Sequence, residues 1–91
     1  MANRLDAKFY GEIRKVKDGS VVPEDEYMVF LAHDNAFPFA LSSYLAECHR
    51  LGADTEHIMS VERTIERVKA WREAHPDKLK VPDARGEKLQ G

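Results

Sequence analysis

The chain has few of the features that would tie it to a membrane or to an extracellular disulfide scaffold. It carries one cysteine among 91 residues, so no disulfide can form within the chain. A chain of this kind is typical of a reducing compartment. No apolar run approaches the roughly 20 residues that a membrane-spanning helix needs, and the first residues show no apolar signal-peptide core. We therefore expect a cytoplasmic protein without a membrane partner.

The chain also lacks an excess of charge of one sign. Its 14 Lys and Arg and 16 Asp and Glu give a formal net charge of −2. A broad electrostatic attraction to nucleic acid is therefore not expected. The content of 43% hydrophobic and 33% charged residues is that of an ordinary globular chain. Ninety-one residues predict one domain, near the small end of what can bury a core.

The first third of the chain predicts β-structure. Residues 8–17 alternate as a strand, with Phe9 and Ile13 on the side expected to face the core. An Asp-Gly pair at 18–19 predicts a tight turn, because glycine tolerates positive φ and aspartate bonds to nearby backbone. Residues 20–22 can then return along the first strand for a short distance.

The longest apolar run has two interpretations. Residues 27–32 are rich in β-formers and lack a helical stripe, which predicts a central strand pairing antiparallel with residues 8–17. Pro23 should interrupt any pairing before it. Pro23 followed by three acidic residues is also typical of a helix start. The alternative is therefore an all-α chain in which residues 23–32 begin the first helix.

Two helices are predicted after this run. Residues 36–51 have a helical apolar face, with Asp34 or Asn35 as the expected N-cap and Pro38 within the first turn. A short loop at 52–54 joins them as an antiparallel hairpin, Gly52 ending the first helix and Asp54 capping the second. The second helix is predicted over residues 55–74, and its apolar stripe is Ile58, Val61, Ile65, Val68 and Trp71.

The predicted fold class is α+β: a short antiparallel β-hairpin, an antiparallel α-hairpin and an extended C-terminal arm. We expect residues 1–7 to be a flexible N-terminus and residues 8–75 a single α+β domain. Residues 76–91 form the arm, which Leu79 and Val81 are expected to pin to the domain.

Catalytic signatures are absent from the sequence. Cys48 falls on the predicted apolar face of its helix, where a buried thiol is expected rather than a nucleophile. The histidines at 33, 49 and 57 do not have the spacing of a metal motif, and no glycine-rich phosphate loop is present. We expect no enzymatic activity, no metal and no cofactor.

The polar cluster His33-Asp34-Asn35 is the strongest candidate for a site. One interpretation is purely structural, with Asp34 or Asn35 capping the helix. The other is that a helix N-terminus beside an imidazole and an aromatic ring holds an anionic or aromatic ligand. Positive charge on the second helix supports this, although interleaved glutamates also fit a solvated face. The candidate ligand-binding residues are His33, Asp34, Asn35, Phe37, Arg63, Arg67 and Trp71.

The predicted core is thin, and self-association would complete it. A two-stranded sheet has an exposed edge, and the second face of the predicted strand, with Met28 and Phe30, needs cover that one helical hairpin does not give. A homodimer or higher homo-oligomer is therefore expected.

A resemblance adds to these inferences. The stretch EYMVFLAHDNAF, Gly52-Ala53-Asp54, Trp71 and the final Lys80-Val-Pro-Asp resemble small proteins encoded by bacteriophages and prophages, over about residues 26–83. The resemblance implies a strand followed by two helices in an accessory protein of the host cytoplasm, without a known reaction. It also implies a role against host defence. Such a protein would sequester a small anionic ligand such as a nucleotide, or block or scaffold a protein partner.

Overall fold

The computed structural model describes residues 8–83. The fold is α+β, as predicted: a two-stranded antiparallel hairpin precedes two helices. Within residues 8–83 neither helix is long and apolar enough to cross a membrane. The elements in chain order are β1 (Ile13–Arg14), β2 (Val21–Val22), a 3-10 turn (Glu24–Glu26), α1 (Phe37–Leu51), α2 (Thr55–Ala74) and a second 3-10 turn (Pro76–Lys78).

The β-hairpin closes through the predicted turn. Gly19 has φ 75°, the left-handed conformation that glycine adopts at little cost. The Asp18 carboxylate accepts the Ser20 backbone N–H at 2.9 Å and the Ser20 hydroxyl at 2.7 Å. Arg14 donates to the Gly19 carbonyl at 2.7 Å across the turn. Local hydrogen bonds thus fix the turn and bring the two strands together.

The hairpin is much shorter than the predicted strand over residues 8–17. Only Ile13 pairs with Val22 and Arg14 with Val21, and the ladder ends before Pro23, as expected. Ile13 remains 43% exposed, so the prediction that it faces the core is wrong. A two-stranded ribbon is only marginally stable unless another layer covers one of its faces. The residues of both strands are exposed or half-buried. Because no layer within residues 8–83 covers the hairpin, the ladder does not extend beyond two residue pairs.

Residues 27–32 do not form the predicted central strand. Residues 27–31 run as an extended segment that belongs to no ladder within residues 8–83, and Ala32 lies in a turn. The Tyr27 hydroxyl donates to the Gly11 carbonyl, just before β1, at 3.0 Å. Residues 13–14 of the predicted first strand pair with β2 instead. The tight turn brings β2 close, so the loop that must be closed is shorter and its entropic cost is smaller. The all-α alternative is not seen either, because the helical conformation after Pro23 ends at Glu26.

The start of α1 differs from the predicted cap. Ala36 is the N-cap and makes no side-chain capping bond, so the assignment of Asp34 or Asn35 as N-cap is wrong. The Asp34 carboxylate accepts from the Ala36 N–H, two residues on, at 2.7 Å. This bond makes an Asx turn that precedes the helix, because the short side chain folds back onto the nearest free N–H. Pro38 lies in the first turn, as predicted.

The helical hairpin is formed as its local signals predict. Gly52 ends α1 with φ 74°, and its N–H donates to the His49 carbonyl at 3.2 Å. The Asp54 carboxylate caps α2 by accepting the His57 N–H at 2.7 Å. Both features confirm the predicted loop. The core between the helices is small, and the buried apolar residues of the described chain are Cys48, Val61 and Val68.

The C-terminal segment folds back onto the start of α1. Lys80 forms a parallel bridge with Asp34. Its N–H donates to the His33 carbonyl at 2.9 Å, and its carbonyl accepts the Asn35 N–H at 2.9 Å. Leu79 is half-buried, whereas Val81 is 44% exposed, so Leu79 carries most of the expected contact. The predicted flexible N-terminus (1–7) and the last part of the predicted arm (84–91) lie outside the described residues.

Candidate functional site

The corner at residues 33–35 is held together by Arg72 of α2. One terminal nitrogen of its guanidinium donates to the Ala32 carbonyl at 3.0 Å and to the Asp34 carbonyl at 3.1 Å. The other donates to the Asn35 side-chain oxygen at 2.8 Å. Arg72 is half-buried, and these bonds satisfy oxygens of an irregular turn that has no regular ladder. The Asn35 side-chain oxygen therefore already has a partner within the fold.

The N-terminus of α1 keeps few free donors for an anion. The Ala36 N–H donates to the Asp34 carboxylate at 2.7 Å, and the Phe37 N–H donates to the Asp34 carbonyl at 3.2 Å. Pro38 has no N–H to offer. The geometry of the corner therefore fits the structural interpretation of Asp34 better than a helix-terminus anion site.

His33 and Asp34 line a different cavity from Phe37, Arg67 and Trp71. That cavity, of about 220 Å³, lies between the extended segment 28–31, the N-terminal residues 8–9 and the C-terminal residues 80–83. The His33 ring centroid is 6.5 Å from the Trp71 centroid, at an interplanar angle of 50°. His33 thus borders Trp71 without sharing a cavity with it.

Three of the predicted residues, Phe37, Arg67 and Trp71, lie around one pocket. We call it the aromatic pocket, and its volume is about 220 Å³. It lies between the start of α1, one face of α2 and the end of the extended segment. The residues that line it are Phe30, Ala32, Phe37, Thr64, Arg67, Val68 and Trp71.

Helical spacing and ring stacking build the aromatic pocket. Thr64, Arg67 and Trp71 share one face of α2 because they are three and seven residues apart. The Phe37 ring, at the start of α1, stacks on Phe30 with centroids 5.3 Å apart and planes 10° apart. The pocket therefore has walls from three segments of the chain.

Trp71 is fixed by a stacked histidine. The His75 ring lies on Trp71 with centroids 4.3 Å apart and planes 24° apart. His75 Nδ1 is 2.8 Å from the Trp71 carbonyl oxygen. A carbonyl only accepts, so His75 Nδ1 carries the proton and donates it. This bond and the stacking hold the indole in place at the edge of the pocket.

Arg67 supplies the positive charge of the aromatic pocket. Its side chain is exposed, and it makes no hydrogen bond or ion pair with any other described residue. Arg72, five residues on, differs because its donors are used by the corner. A guanidinium beside aromatic rings can bind an anionic group through paired N–H donors or stack on a planar one.

The structure places Arg63 away from this pocket. It lines a shallow surface depression with Met59 and the acidic residues Glu62 and Glu66. Its charge is therefore surrounded by compensating carboxylates, as the alternative interpretation of the interleaved charges predicts. Of the seven candidate residues, the pocket holds three, the corner and its neighbouring cavity hold His33, Asp34 and Asn35, and Arg63 stands apart.

Sequence reasoning missed Phe30 and Arg72 as parts of the site. Phe30 was assigned to the uncovered face of a strand, whereas it packs on Phe37. No periodic signal marks it, because the segment that carries it is irregular. The sequence gives Arg72 no role beyond its contribution to the positive charge of the second helix. Unpaired oxygens of the corner signal that some donor is needed, but the spacing of residues does not say which one.

A further cavity, more apolar than the aromatic pocket, lies between the helices and the C-terminal segment. This apolar groove has a volume of about 410 Å³, and its rim carries Lys69, Arg72 and Glu73. Its walls include Leu79, so the groove exists only because the chain folds back after α2. The other residues that line it are Pro38, Leu41, Ser42, Ile65 and Val68.

Cys48 is buried and makes a polar contact with Tyr44. Cys48 is only 6% exposed. The Tyr44 hydroxyl lies 3.0 Å from His57 Nε2, between the helices. A hydrogen bond with Cys48 and burial raise the pKa of the Tyr44 hydroxyl above its ordinary value. Among residues 8–83, no three His, Cys, Asp or Glu side chains are grouped so that they could hold a metal ion.

Comparisons with protein-family models, with curated proteins and with solved structures each gave no match.

Proposed function

We propose that the protein is a non-enzymatic binder of a small ligand with a planar aromatic ring and an anionic group, of which nucleotides are the main class. The observation that carries this is the composition of the aromatic pocket. Phe30, Phe37 and Trp71 meet there beside Arg67, whose side chain makes no ion pair with any described residue. Rings that stack and a guanidinium that binds phosphate are the two contacts that recognise a nucleotide without base-specific bonds.

The dimensions of the pocket define how such a ligand would bind. At about 220 Å³ the pocket is smaller than the roughly 300 Å³ at which sites for drug-sized ligands begin. It therefore accepts the base, and the phosphate stays outside at Arg67. Stacking contributes about 1–3 kcal/mol per base, and a charge-assisted hydrogen bond about 1.5–3 kcal/mol.

The proposed biological role is sequestration. A protein that binds a nucleotide and does not convert it can lower the free concentration of a signal. This agrees with the accessory, counter-defence role that the resemblance to phage-encoded proteins implies. In this proposal the protein acts in the host cytoplasm as a homo-oligomer.

A thermal-shift screen of mono-, di- and cyclic nucleotides tests the proposal. At a hundred times its dissociation constant, a ligand should stabilise the fold by about 2.7 kcal/mol. Arg67→Gln should abolish most of this shift. Arg63→Gln is the matched control, because Arg63 is exposed on the same helix one turn away but lines no part of the pocket.

A further variant separates the pocket from the corner. Asp34→Asn keeps an oxygen for the Ala36 N–H and removes the carboxylate charge, so binding in the pocket should survive it. If Asp34→Asn abolishes binding and Arg67→Gln does not, the ligand sits at the corner. If no nucleotide shifts the melting temperature, the proposed ligand class is wrong.

The second candidate function is that of an interaction protein that blocks or scaffolds a protein partner. The apolar groove favours it, because apolar side chains of a partner helix can enter an open groove of about 410 Å³. The two functions differ in their sensitivity to substitution. Leu79→Asp should abolish partner binding without changing nucleotide binding, since Leu79 lines the groove and not the aromatic pocket.

A further inference from the structure

The extended segment 27–31 has the properties of an unpaired β-strand. Side-chain exposure alternates along its first four residues: Tyr27 and Val29 are half-buried, whereas Met28 is 72% and Phe30 47% exposed. Tyr27 has extended dihedrals, with φ −142° and ψ 161°. Within residues 8–83, the backbone N–H groups of Met28, Val29 and Phe30 make no hydrogen bond. Such a segment offers its donors and acceptors to another chain.

We propose that this segment pairs with the same segment of a second copy, as an antiparallel two-stranded ladder centred on Val29. In this register every residue of the segment meets an apolar residue: Met28 lies opposite the partner's Phe30, Tyr27 opposite the partner's Leu31, and Val29 opposite the partner's Val29. The segment has no charged residue and is complementary to itself, as a two-fold interface requires.

The charges that flank the segment select the antiparallel orientation. The three residues of the first 3-10 turn, Glu24–Glu26, are all acidic and precede the segment. His33 follows the segment, and Lys80 is bridged to the adjacent Asp34. Antiparallel pairing brings the acidic turn of one copy to the His33–Lys80 end of the other. A parallel arrangement would place the two acidic turns side by side, which opposes it.

The small core gives the pairing a driving force. Among the described residues, the buried apolar ones are Cys48, Val61 and Val68, each still 6% exposed. Pairing two copies removes part of the Met28 and Phe30 surface from water. It also satisfies the backbone groups of Met28 and Phe30, with Val29 as the non-hydrogen-bonded pair between them. This inference does not depend on the proposed ligand, because it is argued from the backbone donors and the side-chain exposure of the segment alone.

Multi-angle light scattering on the full chain at tens of micromolar tests the proposal. The expected mass is twice 10.4 kDa. Met28→Pro should give a monomer, because it removes a backbone N–H that the proposed ladder needs. The fold of one copy should tolerate it, since that N–H has no partner within the described chain and the preceding Tyr27 has the extended dihedrals that a proline requires. Met28→Lys should also give a monomer. Leu51→Lys, at a position 71% exposed on α1, is the matched control and should remain a dimer.

Oxidative crosslinking tests the register. Val29→Cys places the two thiols directly opposite each other on the two-fold axis and should give a covalent dimer on mild oxidation. Val16→Cys, at a fully exposed position of the hairpin, should not. A native mass of 10.4 kDa overturns the proposal. A dimer that Met28→Pro and Met28→Lys leave intact overturns it too, since pairing would then use another surface.

Discussion

Arg72 is the residue on which the shape of the candidate site depends most. Its guanidinium donates to the Ala32 and Asp34 carbonyls and to the Asn35 side chain, and so fixes the turn between the extended segment and α1. Arg72→Met keeps most of the apolar stem but leaves these oxygens without their donor. The free energy of unfolding should fall by about 1–3 kcal/mol.

Urea denaturation of the two variants measures this difference. Arg63→Met is the control, because Arg63 is exposed and has no hydrogen bond among the described residues, so its change should stay within about 0.5 kcal/mol. Equal stability losses for Arg63→Met and Arg72→Met would show that the hydrogen bonds of Arg72 do not stabilise the corner.

Asp18 gives a second residue-scale prediction, which concerns pH. Hydrogen bonds from the Ser20 hydroxyl and the Ser20 backbone N–H lower the pKa of the Asp18 carboxyl below its ordinary value of 3.8. A lowered pKa means that folding stabilises the ionised form. The turn therefore gains stability above the ordinary pKa and loses it as the pH falls through the lowered value.

Ser20→Ala tests the cause of this shift. It removes the hydroxyl, which has the larger effect, and leaves the backbone N–H. The pKa of Asp18, followed by its side-chain carbon resonance in an NMR titration, should move back up towards its ordinary value. An unchanged pKa in Ser20→Ala would contradict the assigned hydrogen bond.

At the scale of the elements, a left-handed glycine ends α1 at the loop between the two helices. Gly52 has φ 74°, and an added Cβ would meet no atom within 4 Å. Gly52→Ala therefore tests backbone strain alone, and it should lower the free energy of unfolding by about 1–2 kcal/mol. Gly11→Ala is the matched control, because its Cβ also meets nothing within 4 Å and its φ is not in the left-handed range.

Thermal or urea denaturation compares the two glycine variants. Gly11→Ala should be neutral or slightly stabilising, since alanine restricts the unfolded chain. If both variants lose the same stability, the conformation of Gly52 does not account for the cost.

The elements differ in how far the sequence predicts them. The bounds of α2, Thr55–Ala74, match the prediction because Asp54 and Pro76 act on the backbone next to them. The strand predicted over residues 27–32 depends on a distant partner, and β-propensity alone does not say whether that partner is available. The segment is apolar, as a central strand would be, but it pairs with no other strand within residues 8–83.

At the scale of the whole molecule, the candidate site is only partly encoded in local patterns. Arg67 and Trp71 share a helix face, so their proximity follows from spacing. Phe37 joins them because α1 and α2 pack as a hairpin. Phe30 lines the pocket from a segment without regular secondary structure, and no sequence periodicity predicts where such a segment lies. Of the candidates at 33–35, Asp34 and Asn35 use their side chains to hold the corner, whereas the His33 ring borders Trp71.

A small core also affects the whole molecule. With few buried apolar side chains, the described domain is expected to have a narrow stability margin, to which binding of the proposed ligand or of a second copy would add. The same residues thus connect folding to function, since Phe30 belongs both to the aromatic pocket and to the segment proposed to pair.

The most direct test of the central claim is a fluorescence titration, because Trp71 is the only tryptophan of the chain and lines the aromatic pocket. A stacking nucleotide should change the emission of Trp71 with a saturable curve. Arg67→Gln should weaken the apparent affinity by about tenfold or more, as expected for the loss of a charge-assisted hydrogen bond, and Arg63→Gln should leave it within about twofold. A nucleotide that binds without changing the emission of Trp71, or with equal affinity for Arg67→Gln and the unmodified chain, would contradict the claim.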